Sequence, residues 1–519
     1  MIVEGELSMK YISVIEISPT SLEMIICEKS PECCKVIEKI REESNLFKGY
    51  QKTGKISFEK SQKLCEVLKK MKELSLDYGC EEIQIVTTSS FNQLTNAPFL
   101  LDQIKIHTDL EVTMPRLLEK KKLLFKKFLK YRYELTSDKK NTLILNIGSS
   151  TTDLVFIHNK KLIKNQIIST GSYKVADFIG EEGLTPTETL AFMRDYIYNY
   201  LIELKKELGR KKIAKVVLIG EVKEVLVKKY AENSPVFHLK RGELSEVIEE
   251  IEKMSFKKFS SKYGLSELMV LKTFVELSMV KVITDEFSID DVSVLSYDNK
   301  ELIAYEYFYP EKRETMEEEM WGFTVQAARA LGEKFHFHLE HSEFTLSLSK
   351  KIFDELKDIH KIPKRIYRYL EIATYLHDTG KYINFREHNK HSEYIAKNSF
   401  LFGLGEDELE FISFLCYAHS GDSLDYTRYL NKFSPKERIY ILKALTILKV
   451  TAALDRSKRQ KAEKVEVSVV GDELKIEVYT REEFLIEKLF FNKQVKFFKE
   501  VFGLTPKLLI NRRYYGESI

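Results

Sequence analysis

Apolar and polar positions change rhythm twice along the 519-residue chain. Through roughly the first 300 residues, short runs dense in β-branched residues alternate with stretches whose apolar positions recur at three- and four-residue spacing. That alternation predicts an α/β layered arrangement. The predicted strands are Tyr11–Ser18, Leu22–Glu28, Glu82–Thr88, Thr142–Gly148, Asp153–His158 and Lys215–Gly220, several of them paired as hairpins. Between them lie the helical stretches Ser57–Leu74, Leu117–Tyr131 and Thr185–Leu208, the last opened by the Thr-Pro-Thr-Glu start signal. From about Met316 the strand signal stops, and helix follows helix to about Lys461. The segment Lys464–Thr480 then reads as two alternating strands around Gly471-Asp472, with an amphipathic helix after it through Phe484–Phe502. The expected division is therefore 9–135 and 136–312 as two α/β domains, 313–460 as an all-helical domain and 461–519 as a small α+β cap. The change of class falls near Tyr309–Thr315. With no internal repeat or low-complexity linker, these parts are expected to pack together rather than hang on tethers.

Composition narrows the class. Length alone suggests about three to four domains, and 44% hydrophobic with 31% charged residues is the profile of a folded protein. Lys plus Arg at 82 against Asp plus Glu at 79 leaves +3, so nothing global favours duplex nucleic acid or a membrane surface, and any anion site must be local. Cys27, Cys33, Cys34, Cys65, Cys80 and Cys416 are too sparse for a disulfide scaffold and contain no CxxC. Without a leader pattern or a long apolar run, the expectation is a reduced, cytoplasmic protein, with Met9 as an alternative start to Met1.

Histidine is the residue that is out of place. Eight of the 11 histidines lie between His336 and His419, and a cluster of imidazoles with nearby acids is the raw material of a metal site. The sharpest signal is Tyr375-Leu-His-Asp-Thr-Gly-Lys381. The helix Lys364–Thr379 carries Ile366, Tyr369, Leu370, Ala373 and Leu376 as its buried stripe, which leaves His377 and Asp378 at its C-terminal end. His341 starts an amphipathic helix upstream; His388, His391 and His419 follow downstream, and Asp455 lies in Thr451-Ala-Ala-Leu-Asp455.

In this order the pieces resemble the HD-domain superfamily of metal-dependent phosphohydrolases. The resemblance implies that His341, His377, Asp378 and Asp455 are metal ligands, that His391 and His419 are the additional histidines of two-metal members, and that Lys381 lies near the scissile phosphate. His388 is left between metal and pocket. Divalent metal so held, whether Mn, Mg, Fe, Co or Zn, would generate hydroxide near neutral pH and neutralise charge on a phosphoryl group in transfer.

The hairpin Asn141–Lys161, with its Gly, Ser and Thr turn, and the similar Tyr11–Glu28 extend the likeness. Together with the helical domain and the C-terminal ending Val495–Ile510, the order resembles the Ppx/GppA family of exopolyphosphatases and guanosine pentaphosphate phosphatases. That resemblance implies two actin-like (ASKHA, ribonuclease H-like) α/β domains, an all-helical HD domain and a small α+β cap. It implies phosphate binding at Ser21, Gly148, Ser149, Ser150 and Thr151, and it points to Glu119 as the counterpart of the family's catalytic Glu. The departures are pointed. The first phosphate loop reads Glu16-Ile-Ser-Pro-Thr-Ser21 where the family has an Asp and a Gly, and the second reads Asn146-Ile-Gly-Ser-Ser-Thr-Thr-Asp153. Asn146 cannot act as a base and is a poorer Mg²⁺ ligand than a carboxylate. Ser149 and Ser150 stand where glycines allow close approach, and Glu221 follows Gly220 in place of a second Gly.

The reading from sequence is a phosphohydrolase of polyphosphate or a phosphorylated nucleotide, with its chemistry at the HD site. The alternatives are catalysis at the actin-like cleft with Glu119, and a non-catalytic nucleotide or polyphosphate sensor. The basic helix Glu119–Arg132 is either a packed helix or an anion rail for polyphosphate, and Lys458, Arg459 and Lys461 offer a similar basic group beside Asp455. The family resemblance also allows a homodimer.

Overall fold

The computed structural model describes residues 10–18, 21–31, 33–44, 46, 54–88, 91–92, 94–136, 141–148, 151–159, 161–209, 212–220, 226, 229–230, 234–264, 266–420 and 426–512. Both Met1 and Met9 lie outside them, as do Ser149, Ser150 and Glu221. The chain divides into two compact units, Met1–Phe323 and Thr324–Ile519. The division falls inside the helix Pro310–Lys334, past the break expected at Tyr309–Thr315.

The first unit holds two sheets built on one plan. β1 (Tyr11–Ile17), β2 (Ser21–Lys29) and β3 (Cys34–Glu43) form an antiparallel meander, and β4 (Glu82–Thr87) and β5 (Val112–Thr113) extend it parallel to β1, giving the order β3-β2-β1-β4-β5. In the second sheet β6 (Thr142–Ile147), β7 (Thr152–His158) and β8 (Lys161–Ile168) repeat the meander. There β9 (Lys215–Gly220) and β11 (Asp291–Leu295) run parallel, with β10 (Val236–Lys240) at the edge, in the order β10-β11-β9-β6-β7-β8. Continuous apolar runs become the central strands β1, β6 and β9, where a side chain on either face meets packed structure. The edge strand β3 was not legible in sequence, because its alternation of Lys, Glu and Arg with Val36 and Ile40 reads equally as a solvated segment. The helix Thr185 was expected to start does so: Thr185 Oγ1 accepts from Glu188 N at 3.3 Å, and Glu188 Oε2 accepts from Thr185 N at 2.9 Å. A helix not foreseen, Glu267–Glu286, is apolar around most of its girth and lies in the core under the second sheet through Val270, Phe274, Leu277 and Val280.

The second unit begins with helices. Leu339–Glu355, Lys364–Leu376, His388–Asn398, Glu406–Ala418 and Pro435–Ala453 are its main members. The last opens on a capping box between Ser434 and Glu437. A three-stranded sheet follows, β12 (Lys464–Val470), β13 (Glu473–Thr480) and β14 (Thr505–Arg512), in that spatial order. Because β14 is parallel to β13, the helix Leu485–Phe502 is the crossover that parallel pairing demands. Sequence gave two of these strands; the third carries Pro506, tolerated because it is at an edge. Among the described residues no helix is long and apolar enough to cross a membrane.

Candidate metal centre

The buried stripe of Lys364–Leu376 packs its helix against the rest of the unit, and the helix stops where His377 takes the C-cap position. The chain then turns through the 3₁₀ segment Thr379–Tyr382, one turn earlier than the helix expected to reach Thr379. Gly380 makes this turn feasible. A Cβ there would overlap the backbone of His388 and Ser392, whereas Gly380 N donates to Ser392 Oγ at 2.9 Å. The close approach seats the helix His388–Asn398 against the His-Asp dipeptide. On the other side, a buried hydrogen bond between Ser349 and Thr451 (3.0 Å) ties the helix bearing His341 to the helix that leads to Asp455.

Four imidazoles and one carboxylate converge. His341, His377 and Asp378 place ligand atoms within 4.8 Å of one another, and so do Asp378, His388 and His419, so Asp378 is common to both groups. Each imidazole is oriented from behind. Nδ1 of His377 faces Thr374 O (2.9 Å), that of His419 faces Cys416 O (2.7 Å), that of His388 faces Phe385 O (3.2 Å), and that of His341 faces Asp455 Oδ2 (2.9 Å). A carbonyl or carboxylate oxygen only accepts, so each Nδ1 carries a proton, and in the neutral ring Nε2 then presents the lone pair. Two of those lone pairs meet head on, with His388 Nε2 and His419 Nε2 3.2 Å apart and each 3.6 Å from Asp378 Oδ1. Acceptors crowded in this way suit a cation between them, and N/O donors of this type suit Mn, Fe, Co or Zn.

Burial and charge set the protonation states. Burial pushes His377 well below its ordinary value, and burial with the neighbouring His419 brings His388 down to about 4. Burial alone would raise Asp378, but the ammonium groups of Lys381 and Lys458 hold it well below the usual carboxylate range. Both ammonium groups sit on one oxygen: Lys381 Nζ is 2.6 Å and Lys458 Nζ 2.5 Å from Asp378 Oδ2. Lys458 reaches it from a backbone with φ of 58°.

Asp455, the remaining carboxylate expected at the metal, sits behind His341. It is buried, its Oδ2 accepts from His341 Nδ1 and from Gln460 Nε2 (2.9 Å), and its Oδ1 accepts from Gln460 N (2.8 Å). It orients His341 and, among the described residues, lies outside both ligand groups. His391 also lies outside them. It is on the same helix as His388 but nearly one turn on, and its Cβ packs toward Gly380. His388, which the sequence left between metal and pocket, is on the side of the helix that meets Asp378 and joins the second ligand group, where His391 was expected.

The cluster opens into a cavity of about 90 Å³ whose wall includes Lys381, Lys449, Arg456, Lys458, Phe490 and Gln494. That is room for about three waters, or one phosphoryl group. Arg456 and Lys449 escaped sequence reading because they lie among ordinary helix and loop residues. The Arg456 guanidinium lies over the Phe490 ring, 4.3 Å from its centre. Of the basic group expected here only Lys458 faces the cluster; Arg459 pairs with Glu482 (2.9 Å) and Lys461 with Glu487 (3.2 Å).

The positions expected in the first unit are arranged differently. Ser21 closes the β1-β2 turn, its N donating to Ser18 Oγ at 2.9 Å. Gly148 N donates to Thr151 O at 2.9 Å across the β6-β7 turn, of which Ser149 and Ser150 lie outside the described residues. Glu119 reaches back to the start of its own helix, Leu117–Leu135, where Oε2 accepts from Arg116 N at 2.8 Å. The basic helix is a packed one: Lys126 pairs with Glu306 (2.7 Å), Lys127 Nζ donates to Tyr297 O (3.1 Å), and Lys130 lies on the Tyr305 ring.

Comparison with known proteins agrees with this architecture. The Ppx/GppA phosphatase family matches residues 25–296, and Ppx/GppA phosphatase domain III matches residues 325–496. The first unit is thus an actin-like α/β domain with mixed sheets, and the chain belongs to the Ppx/GppA phosphatase family. An exopolyphosphatase structure from Cytophaga hutchinsonii is similar at 15% identity and a TM-score of 0.48, over 58% of this chain and 98% of that one. The Ppx/GppA family member of Aquifex aeolicus is similar at 16% identity and a TM-score of 0.46, over 58% and 98%. No curated protein matches the chain.

Proposed function

We propose that this protein is a divalent-metal-dependent phosphohydrolase of the HD type, acting in the cytoplasm on phosphoanhydride or phosphoester bonds of polyphosphate or a phosphorylated guanosine nucleotide. The division into 9–135, 136–312, 313–460 and 461–519 belongs to the same proposal. The observation that carries it is the set of four imidazoles, each held at its Nδ1, that gather around the single carboxylate of Asp378, with Nε2 of His377, His388 and His419 turned toward it.

The residues that would hold metal are His341, His377, His388, His419 and Asp378, with Asp455 fixing the tautomer of His341. When bound, a divalent cation supplies Lewis-acid polarisation of a phosphoryl oxygen. Lys381 and Lys458, beside the shared carboxylate, set positive charge where a transferring phosphoryl group gathers negative charge. Arg456, lying over the Phe490 ring, offers its planar fork to phosphate oxygens at the opening. Ala453 and the Phe490 ring form the apolar part of the wall and limit the water that enters.

The test is phosphate release from long-chain polyphosphate and from guanosine pentaphosphate, with Mn²⁺ or with EDTA, in the natural protein and in Asp378→Ala. The expected result is turnover that needs metal and disappears in the variant. Turnover that survives Asp378→Ala would overturn the proposal.

A further inference from the structure

In the first unit, the two hairpins that begin the sheets place polar residues face to face at comparable points. Glu16 of β1 is the register partner of Glu23 of β2, and Asn146 of β6 that of Asp153 of β7. Two carboxylates opposite one another repel. Asp298, which caps the helix Asn299–Phe308 by accepting from Lys300 N at 3.0 Å, adds a third beside Glu16 and Glu23.

What gathers them is a lysine. Lys300 Nζ is 3.0 Å from Glu23 Oε2, 3.2 Å from Asp298 Oδ2 and 3.7 Å from Glu16 Oε2, while the residue is 1% exposed. Burial alone would lower this lysine; its carboxylates more than offset that and raise it, so it is an ammonium. The second hairpin has the same arrangement. Buried Lys121 pairs with Asp153 Oδ1, and Asn146 Nδ2 donates to Asp153 Oδ2 at 2.8 Å. A divalent cation at either hairpin would need the oxygens that these groups already hold, and it would meet a buried positive charge unable to leave. The residues present do not fit a Mg²⁺ ion of the sort the family's loops imply.

We propose that Glu16, Glu23 and Asp298 form a cation site whose permanent occupant is the Lys300 ammonium, with Lys121 serving Asp153 in the same way, so that the actin-like unit takes up no divalent metal. This is independent of the function assigned to the second unit. The test is therefore made in a full-length chain whose histidine cluster is disabled by His377→Ala, Asp378→Ala and His419→Ala, with Mn²⁺ binding followed by calorimetry and electron paramagnetic resonance. With Lys300 present, no Mn²⁺ is expected to bind. Lys300→Ser in this background uncovers three half-buried carboxylates, and the expected result is one Mn²⁺ per chain and a Tm that rises with Mn²⁺, both removed by Glu23→Gln. Two outcomes would overturn the proposal: Mn²⁺ uptake with Lys300 in place that Glu23→Gln abolishes, or a folded Lys300→Ser chain that gains no Mn²⁺. If Lys300→Ser folds only when Mn²⁺ is added, metal has replaced the ammonium and the proposal stands. If it folds in neither condition, the Lys300 chain decides alone, through the presence or absence of uptake sensitive to Glu23→Gln.

Discussion

Asp378 in the second unit and Glu23 in the first are both carboxylates paired with lysines, yet their surroundings are chemically distinct. Glu23 meets Lys300 on one oxygen and Arg41 on the other (3.2 Å), so its partners are cationic donors. Asp378 meets Lys381 and Lys458 on Oδ2, but its Oδ1 faces the acceptor nitrogens of His388 and His419. A carboxylate whose hydrogen-bonding partners on both oxygens are donors is complete, whereas one with an oxygen facing imidazole lone pairs still lacks a positive centre on that side. The contrast shows why similar ion pairs can close one site and prepare another. The same contrast is the ground on which the histidine cluster is proposed ahead of Glu119, whose carboxylate caps its own helix start.

That contrast can be broken at several points, with effects that fall in order. The largest is expected from Gly380→Ala, where the new methyl meets the backbone of the helix carrying His388. Metal binding and turnover should both be lost, and calorimetric Mn²⁺ titration beside a thermal melt separates a displaced helix from an unfolded chain. Next come Asp455→Asn and Gln460→Ala, which leave the ligand atoms in place but release His341; metal affinity should fall on the order of 10- to 100-fold. A titration showing unchanged affinity would mean that Asp455 does not orient the ligand. For Arg456→Ala, loss of charge-assisted bonds worth about 1.5–3 kcal/mol predicts a KM higher by roughly 10- to 100-fold. Arg456→Lys should recover little of it, since an ammonium lacks the planar fork. The smallest effect is on the other side of the comparison. Glu119→Ala removes a helix cap and should cost about 1 kcal/mol in urea unfolding, while phosphate release stays at the natural level; a collapse of turnover would move catalysis back to the first unit.

Much of this was legible before any coordinates. The apolar runs of β1, β6 and β9, the capping box at Thr185 and the stripe that ends at His377 are local patterns, and each became the expected element. His341, His377, Asp378 and His419 are brought together, in keeping with the resemblance that singled them out. The short strands β10 and β11 were not legible, because five residues give too little periodicity; β11 takes its register from β9, and β10 from β11. Nor could sequence choose between His388 and His391. They differ by three positions on one helix, and the close packing of Gly380 decides which imidazole turns toward Asp378.

Sequence by itself determined the order of elements, the supply of imidazole and carboxylate, and the loss of the family's loop residues at Glu16 and Asn146, because these are properties of neighbours along the chain. Only the tertiary structure decided what each charge faces. Lys300 lies 277 residues from Glu23, and Lys458 lies 80 from Asp378. The Coulomb energy of a buried pair depends on separations of a few ångströms that no local pattern encodes.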